Sequence, residues 1–166
     1  MSTVASSSAA DLPEASRRVV AAGASFGVSV EVHQFPEGTK TSQDAADAVG
    51  CHLGAITKSL VFMVDDEPVI AMLPGDRRLD ATKLATVHGG VSSRRASLDE
   101  VRQATGFAAG GTPPFGHDRV LAIYADAGLR EHEARWAAAG TPSTVFPISV
   151  DELLRATGAA VADLAE

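Results

Sequence analysis

Ile56-Thr57-Lys58-Ser59-Leu60-Val61-Phe62-Met63-Val64, followed by Asp65-Asp66-Glu67 and by Val69 to Leu73, is the most informative passage of the chain. Its five consecutive apolar side chains, Leu60 to Val64, predict a strand buried on both faces, as at the centre of an α/β sheet. The acidic triplet reads as a polar turn. Val69 to Leu73 then returns as the partner strand of a hairpin.

Working outward toward the N-terminus, Ser29 to Phe35 alternates Val30 and Val32 with polar residues and predicts a strand, closed by the turn Pro36-Glu37-Gly38. Thr41 or Ser42 caps a short alanine-rich helix that carries Asp44 and Asp47 and stops at Gly50. Asp11 to Gly23 reads as a first helix, with Pro13 near its start. Toward the C-terminus, Asp80 caps a helix through His88, and Ser97 with Glu100 forms a capping box for another that ends at Gly106. Phe107 to Asp118 has no periodicity and reads as a shaped loop. Arg119 to Ala125 predicts a strand, Leu129 to Ala139 a helix, and Thr144 to Ile148 a further strand. Ser149 and Glu152 cap a last helix ending at Gly158. Helices and strands are intermixed along the chain, so the expected fold is a single α/β domain over residues 11–166 with a twisted mixed sheet surrounded by helices. Residues 1–10 are small and polar and are expected to form a disordered tail.

Composition narrows the function classes. The chain has 166 residues, is 45% hydrophobic and carries a formal net charge of −7, which suits one soluble domain with its own core and excludes bulk disorder. No apolar stretch approaches the roughly 20 residues of a membrane span. The acidic balance excludes a generic nucleic-acid coat, although a local basic patch suffices to hold one RNA end. A lone Cys51 fits a reducing compartment, and the first ten residues lack a secretory pattern, so a cytoplasmic location is expected. Because the chain can bury its own core, a monomer is expected.

The common catalytic motifs are absent: no P-loop, no dinucleotide fingerprint, no HExxH and no GxSxG. The five histidines have no metal-ligand spacing and read mostly as surface imidazoles. Cys51 beside His52 is better explained as a small buried residue than as a nucleophile with its base. Lys58 stands out because, by strand alternation, it shares a face with Ile56, Leu60, Phe62 and Val64, where a charge needs a partner or a task. The plain alternative is a lysine snorkelling from the strand end to water. Gly110-Gly111-Thr112-Pro113-Pro114-Phe115-Gly116 combines close-approach glycines with stiffening prolines, a composition that can aim backbone N–H groups at an oxyanion. Its plain alternative is a simple connector.

Taken in order, these residues are similar to those of the YbaK/prolyl-tRNA synthetase-associated editing domain family. The resemblance rests on Thr41-Ser42-Gln43-Asp44-Ala45-Ala46, on Ile56-Thr57-Lys58-Ser59-Leu60-Val61-Phe62, and on Gly75-Asp76-Arg77-Arg78-Leu79-Asp80 with Lys83-Leu84. It continues through Thr105-Gly106 and the Gly110 to Gly116 loop to Ala139-Gly140-Thr141-Pro142 and Glu152-Leu153-Leu154. It therefore runs from about Val30 to the C-terminus.

The resemblance implies a free-standing, trans-editing aminoacyl-tRNA deacylase that hydrolyses the ester of a mischarged tRNA carrying alanine, cysteine, serine or a similar small amino acid. It places the family's lysine on Lys58 and its loop glycine and proline on Gly110 and Pro114. Gly110 and Gly111 would supply oxyanion donors, and Thr41, Ser59, Pro114, Phe115 and Asp126 would contact substrate. The substrate's own ribose hydroxyl would help activate water, with no metal or organic cofactor. The implied partners are the 3′-aminoacyl-adenosine end of tRNA and an aminoacyl-tRNA synthetase. Arg17-Arg18, Arg77-Arg78 and Arg94-Arg95 are candidates for contacts to the tRNA body. Pro113 departs from the family pattern by adding a second proline. The plain alternative for Asp126 is a cap on the helix expected from Leu129. The competing functional readings are a non-catalytic module that binds an aminoacyl-tRNA end, an amino-acid-like ligand or a synthetase, and a cysteine hydrolase using Cys51.

Overall fold

The hairpin read from Ile56 onward forms, and the remaining sheet is assembled around it. In the computed structural model, which describes Ala5–Ser6 and residues 11–166, the elements run β1 (Ala5–Ser6), α1 (Glu14–Ser25), β2 (His33–Gln34), α2 (Ser42–Val49), β3 (Ile56–Val64), β4 (Glu67–Pro74), α3 (Ala81–His88), β5 (Ser93–Arg95), α4 (Leu98–Thr105), β6 (Ala122–Asp126), β7 (Ala134–Ala138), β8 (Thr144–Ser149), α5 (Val150–Thr157) and β9 (Ala160–Ala162). β3 and β4 pair in unbroken antiparallel register from Thr57 opposite Pro74 to Val64 opposite Glu67. The two-residue turn between them holds Asp65 and Asp66 at φ 47° and 66°, the consecutive left-handed pair that suits the twist of a tight hairpin. Asp65 is fixed there because its carboxylate accepts the N–H groups of Val91 and Ser92 at 2.9 and 3.0 Å.

The sheet order is β1-β2-β8-β7-β3-β4-β6-β9, with β5 added to β3 off that path. β3–β7, β4–β6 and β6–β9 are parallel, and the other pairings are antiparallel. Strand alternation divides the core. Val61, Ile70 and Met72 meet Val19, Phe107, Phe146 and Leu153 on one face, while Val64, Val69, Ala71 and Leu73 meet Leu84, Ala85 and Leu164 on the other. A third cluster of Phe35, Ala45, Ala46, Ile56 and Val145 lies under α2. The mixed α/β fold is therefore the one expected. Among the described residues, no helix is long and apolar enough to cross a membrane.

The local start signals explain the helix positions. Thr41 and Ser97 make complete capping boxes with Asp44 and Glu100. Asp80 caps α3, and Ser149 accepts the Glu152 N–H at the start of α5.

Four expectations are corrected. Leu129 to Ala139 is not a helix: residues 127–131 make a 3-10 turn, and Ala134–Ala138 is the strand β7. Ala, Arg and Glu give this segment helix propensity, but its placement between β3 and β8 overrides that preference. The strand expected over Ser29 to Phe35 contributes only His33 and Gln34 to the ladder; Val32 and Phe35 are buried by packing instead. The strand expected from Arg119 starts at Ala122, because the chain before it is exposed through Val120. The histidines are largely fasteners rather than free surface groups. His88 bridges Tyr124 and Glu67 at 2.6 Å each, His33 packs edge-on against Trp136, and His52 accepts the Gly54 N–H while stacking on His132. The disordered tail expected over residues 1–10 falls outside the described residues except at Ala5–Ser6, which pair with β2.

Candidate active site

β4 covers one edge of β3 along almost its whole length, but the opposite edge is shared. β7 pairs only with Ile56 and Thr57, and β5 pairs only with Phe62 to Val64, with the Ala96 N–H reaching the Val61 carbonyl. The sheet therefore forks at Lys58, Ser59 and Leu60. The fork opens into a cleft of about 320 Å³, walled by the Thr39–Ser42 segment before and into α2, by Arg95 of β5, and by Ala109, Gly110 and Thr112 of the long loop. Its apolar floor is Ala45, Ile56 and Val145, with Trp136 alongside.

Three cations line this cleft, Lys40, Lys58 and Arg95. Among the described residues none of them has a carboxylate within ion-pair distance, whereas Arg94, next to Arg95, is held by Glu100 through two bonds of 2.8 and 2.9 Å. Lys58 is half-buried. Burial pushes its ammonium below the usual lysine range, Arg95 and Arg78 push the same way, and Asp76 opposes them. A chain of net charge −7 thus keeps an uncompensated positive site at one cleft, which is the electrostatic form of an anion receptor. Among the described residues, no carboxylate or imidazole side chain lines the cleft, so these residues offer positive charge, hydroxyls and backbone but no side-chain general base.

Of the eight residues singled out in the sequence, Thr41, Lys58, Ser59 and Gly110 line the cleft. Thr41 has its hydroxyl engaged by the Asp44 N–H. Among the described residues, the buried Ser59 hydroxyl has no hydrogen-bond partner. Gly110 and Gly111 separate in role. The Gly111 N–H donates to the Ala108 carbonyl at 2.9 Å and its carbonyl accepts from Gly140 at 3.0 Å, so Gly111 is not a free oxyanion donor. Gly110 has no such backbone bond among the described residues.

The same two glycines give a contrasting pair of variants. A Cβ on Gly111 would sit 2.5–2.6 Å from the backbone of Thr141, which cannot yield, whereas one on Gly110 meets the flexible Lys40 side chain at 3.2 Å and the Pro142 ring at ordinary contact distances of 3.6 and 3.7 Å. Gly111→Ala should therefore cost about 1–3 kcal/mol in a denaturant titration, and Gly110→Ala should keep its stability while obstructing the cleft. Equal midpoints for the two variants would contradict this assignment.

Pro114, Phe115 and Asp126, expected to contact substrate, are not among the residues that line this cleft. Pro114 is buried, and Phe115 is packed between Phe26 and Phe146. Asp126 is also buried: one carboxylate oxygen caps the 3-10 turn through the Gly128 N–H, and the other accepts Leu164 and Ala165 at 2.9 and 3.2 Å. It fastens the C-terminus to β6.

The loop that carries Gly110 is braced by His117, whose Nε2–H donates to the Pro113 carbonyl at 2.7 Å. Burial lowers its pKa, against the opposing pull of that bond and of Asp118. Protonation is then easier in the unfolded chain than in the folded one. The stabilising difference is complete above the ordinary histidine value of about 6.5 and is lost as pH falls through the lowered one. Thermal melts of the protein and of His117→Gln should therefore diverge at pH 7 and converge as the pH falls below the ordinary histidine value of about 6.5. A pH-independent difference would contradict this role.

Sequence reasoning missed Arg135. It is fully buried, and its donors reach the Thr57 hydroxyl at 2.6 Å and the carbonyls of Leu129, Gly54 and Ile56 at 3.0, 2.6 and 2.9 Å. Burial lowers its pKa to about 10, with Asp76, Cys51 and Glu131 opposing. It stays charged at neutral pH and ties down the residues that lead into Lys58. Lys40 and Arg95 were visible in the sequence only as a lysine before the Thr41 cap and as half of an arginine pair.

The sequence and fold are similar to those of known proteins. The family profile described as an aminoacyl-tRNA editing domain matches residues 36–156. A crystal structure of a protein proposed as a trans-editing enzyme for prolyl tRNA synthetase superposes with a TM-score of 0.88 at 42% identity, covering 94% of this chain and 99% of that one. The uncharacterized protein YwhH of Bacillus subtilis (strain 168) is 29% identical over 74% of this chain and 78% of its own length. EbsC of Enterococcus faecalis, a proposed Cys-tRNA(Pro)/Cys-tRNA(Cys) deacylase, is 26% identical over 81% of this chain and 88% of its own. Proline–tRNA ligase of Nitratidesulfovibrio vulgaris is 33% identical over 60% of this chain, which spans only 17% of that enzyme.

Proposed function

Because the chain belongs to the aminoacyl-tRNA editing domain family, we propose that it hydrolyses the ester joining a small amino acid to the 3′-terminal adenosine of a mischarged tRNA. The observation that carries this reading is the half-buried Lys58, unpaired by any carboxylate, in a cleft whose wall includes Gly110.

The chemistry follows from the groups present. Water adds to the ester carbonyl, negative charge develops on its oxygen, and the tetrahedral adduct collapses to release the amino acid and restore the ribose hydroxyl. The Gly110 N–H and the Lys58 ammonium are the groups suited to that developing charge. Lys40 and Arg95 suit the phosphate that enters with the tRNA strand. With no carboxylate or imidazole lining the cleft among the described residues, the substrate's neighbouring ribose hydroxyl relays the proton: it accepts one from the attacking water as its own passes to the departing ribose oxygen. The floor of Ala45, Ile56 and Val145 suits a short side chain such as that of alanine, cysteine or serine. Discrimination at this level is what a synthetase achieves poorly, since one methylene or hydroxyl changes binding by only about 1–3 kcal/mol.

The test is a deacylation time course on a panel of matched and mischarged tRNAs. The expected result is release from one or a few small, mismatched amino acids, with the matched pairs spared. Binding of charged tRNA with protection of its ester would instead identify a non-catalytic module. Full activity in Cys51→Ser is expected, because Cys51 is absent from the cleft lining and burial raises its thiol pKa.

A further inference from the structure

Trp136 borders the cleft and also a second groove, of about 360 Å³, which shares no other lining residue with it. The groove lies over the start of β7 and the end of β8. Opposed residues of an antiparallel pair share a face, which places Trp136 beside Pro147 and Ala134 beside Ser149. α2 packs on this face at Val145. Beyond that point Ala134 is exposed, and Trp136 and Pro147 are half-buried. His33 holds the indole through an edge-on contact, with the ring centres 5.0 Å apart.

The charge of this groove is opposite to that of the cleft. Glu133, just ahead of β7, has no cation within ion-pair distance among the described residues. Glu152, in the first turn of α5, reaches only Arg155, at 4.0 Å. The one guanidinium in the lining, that of Arg135, is turned into the core and bonded there to four acceptors. The indole N–H of Trp136 makes no hydrogen bond among the described residues. An aromatic floor is thus left open between carboxylates that the fold does not neutralise.

Such a surface repels a phosphate strand and attracts a cation that carries an apolar stem. We propose that the groove docks an arginine-bearing segment of a partner protein. The guanidinium lies over the Trp136 ring and pairs with Glu133 and Glu152, and its methylenes rest on Ala134 and Pro147. The segment's backbone supplies a carbonyl for the indole N–H. Tryptophan and arginine are the residues that most often anchor protein interfaces. A free polyamine would meet the carboxylates but leave the apolar floor and the indole N–H unused. Strand addition by a second copy is disfavoured: β2 pairs with β8 only at Thr144 and Val145, and Pro147 beyond them has no N–H to give. The docking site goes beyond the hydrolytic reading and does not depend on it.

Trp136 is the only tryptophan of the chain, so its indole proton–nitrogen cross-peak reports on the groove without assignment of the rest of the spectrum. The probes are two pools of capped pentapeptides with mixed apolar flanks, one with arginine at the centre and one with citrulline, its uncharged isostere. Spermidine is titrated beside them. The arginine pool should move the cross-peak to saturation and bind about tenfold or more tighter than either the citrulline pool or spermidine. The double variant Glu133→Gln/Glu152→Gln, its fold checked by a thermal melt, should bring the arginine and citrulline pools to equal affinity. A cross-peak that the arginine pool leaves in place overturns the proposal, as does an arginine preference that survives in the double variant. Spermidine binding as tightly as the arginine pool would make the groove a site for free cations. A cross-peak that moves with the protein's own concentration would give it to a second copy, and both results count against the proposal.

Discussion

Lys58→Ala should lower kcat/KM for a mischarged tRNA by about 10²–10³ and leave the thermal midpoint unchanged or slightly raised. The two halves of that expectation have one cause. The ammonium is half-buried, its pKa is depressed mainly by burial and then by Arg95, and no carboxylate pairs with it. The fold therefore gains little from its charge and stands to lose little when it is removed. The substrate, by contrast, brings the negative charge that this position lacks. Steady-state kinetics with a parallel melt would check both halves, and the kinetic split adds location. A loss confined to KM puts Lys58 at the incoming phosphate, whereas an equal loss in kcat puts it at the reacting ester. Undiminished kcat/KM in this variant would contradict the site.

Arg135→Met should cost about 2–4 kcal/mol in urea denaturation. The variant removes the donors that reach Thr57, Gly54, Ile56 and Leu129 inside the core. Ile56 retains its bond from the Gly75 N–H, and methionine recovers some apolar contact, which keeps the figure below the sum of four lost bonds. Three of the four partners precede Lys58 directly in the chain, so activity should fall together with stability. A change under about 0.5 kcal/mol would show that the neighbouring carbonyls find other donors.

Arg135 also shows where the sequence stops being legible. Its segment, Arg130 to Ala138, is composed of good helix formers, and nothing local announces that Arg135 will be enclosed by carbonyls from two other segments. That environment exists only once β7 lies beside β3. The β3–β4 hairpin was legible because both of its determinants are local, an unbroken apolar run and a turn that two aspartates can adopt at positive φ. The same holds for α2, α3 and α4, whose caps at Thr41, Asp80 and Ser97 are written within four residues.

The site divides in the same way. Lys58 could be found because a charge on an apolar strand face is locally anomalous, and Gly110 because its loop has an unusual composition. The difference between Gly110 and Gly111 could not be found, since it depends on the approach of Thr141 from a distant loop. Arg95 and Arg94 look alike in sequence, and only the position of Glu100 shows which of them is left free for the cleft. The surroundings of Asp126 were hidden for a related reason: its partners are the N–H groups of Leu164 and Ala165, almost forty residues further along the chain.

The most direct measurement is single-turnover deacylation, with the protein in excess over one mischarged tRNA carrying a small amino acid, followed beside the spontaneous loss of the same ester. The amino acid should be released far faster than in buffer, and Lys58→Ala should bring the rate back toward the spontaneous one. An ester that survives as long with the protein bound as without it would contradict a hydrolytic role for this cleft.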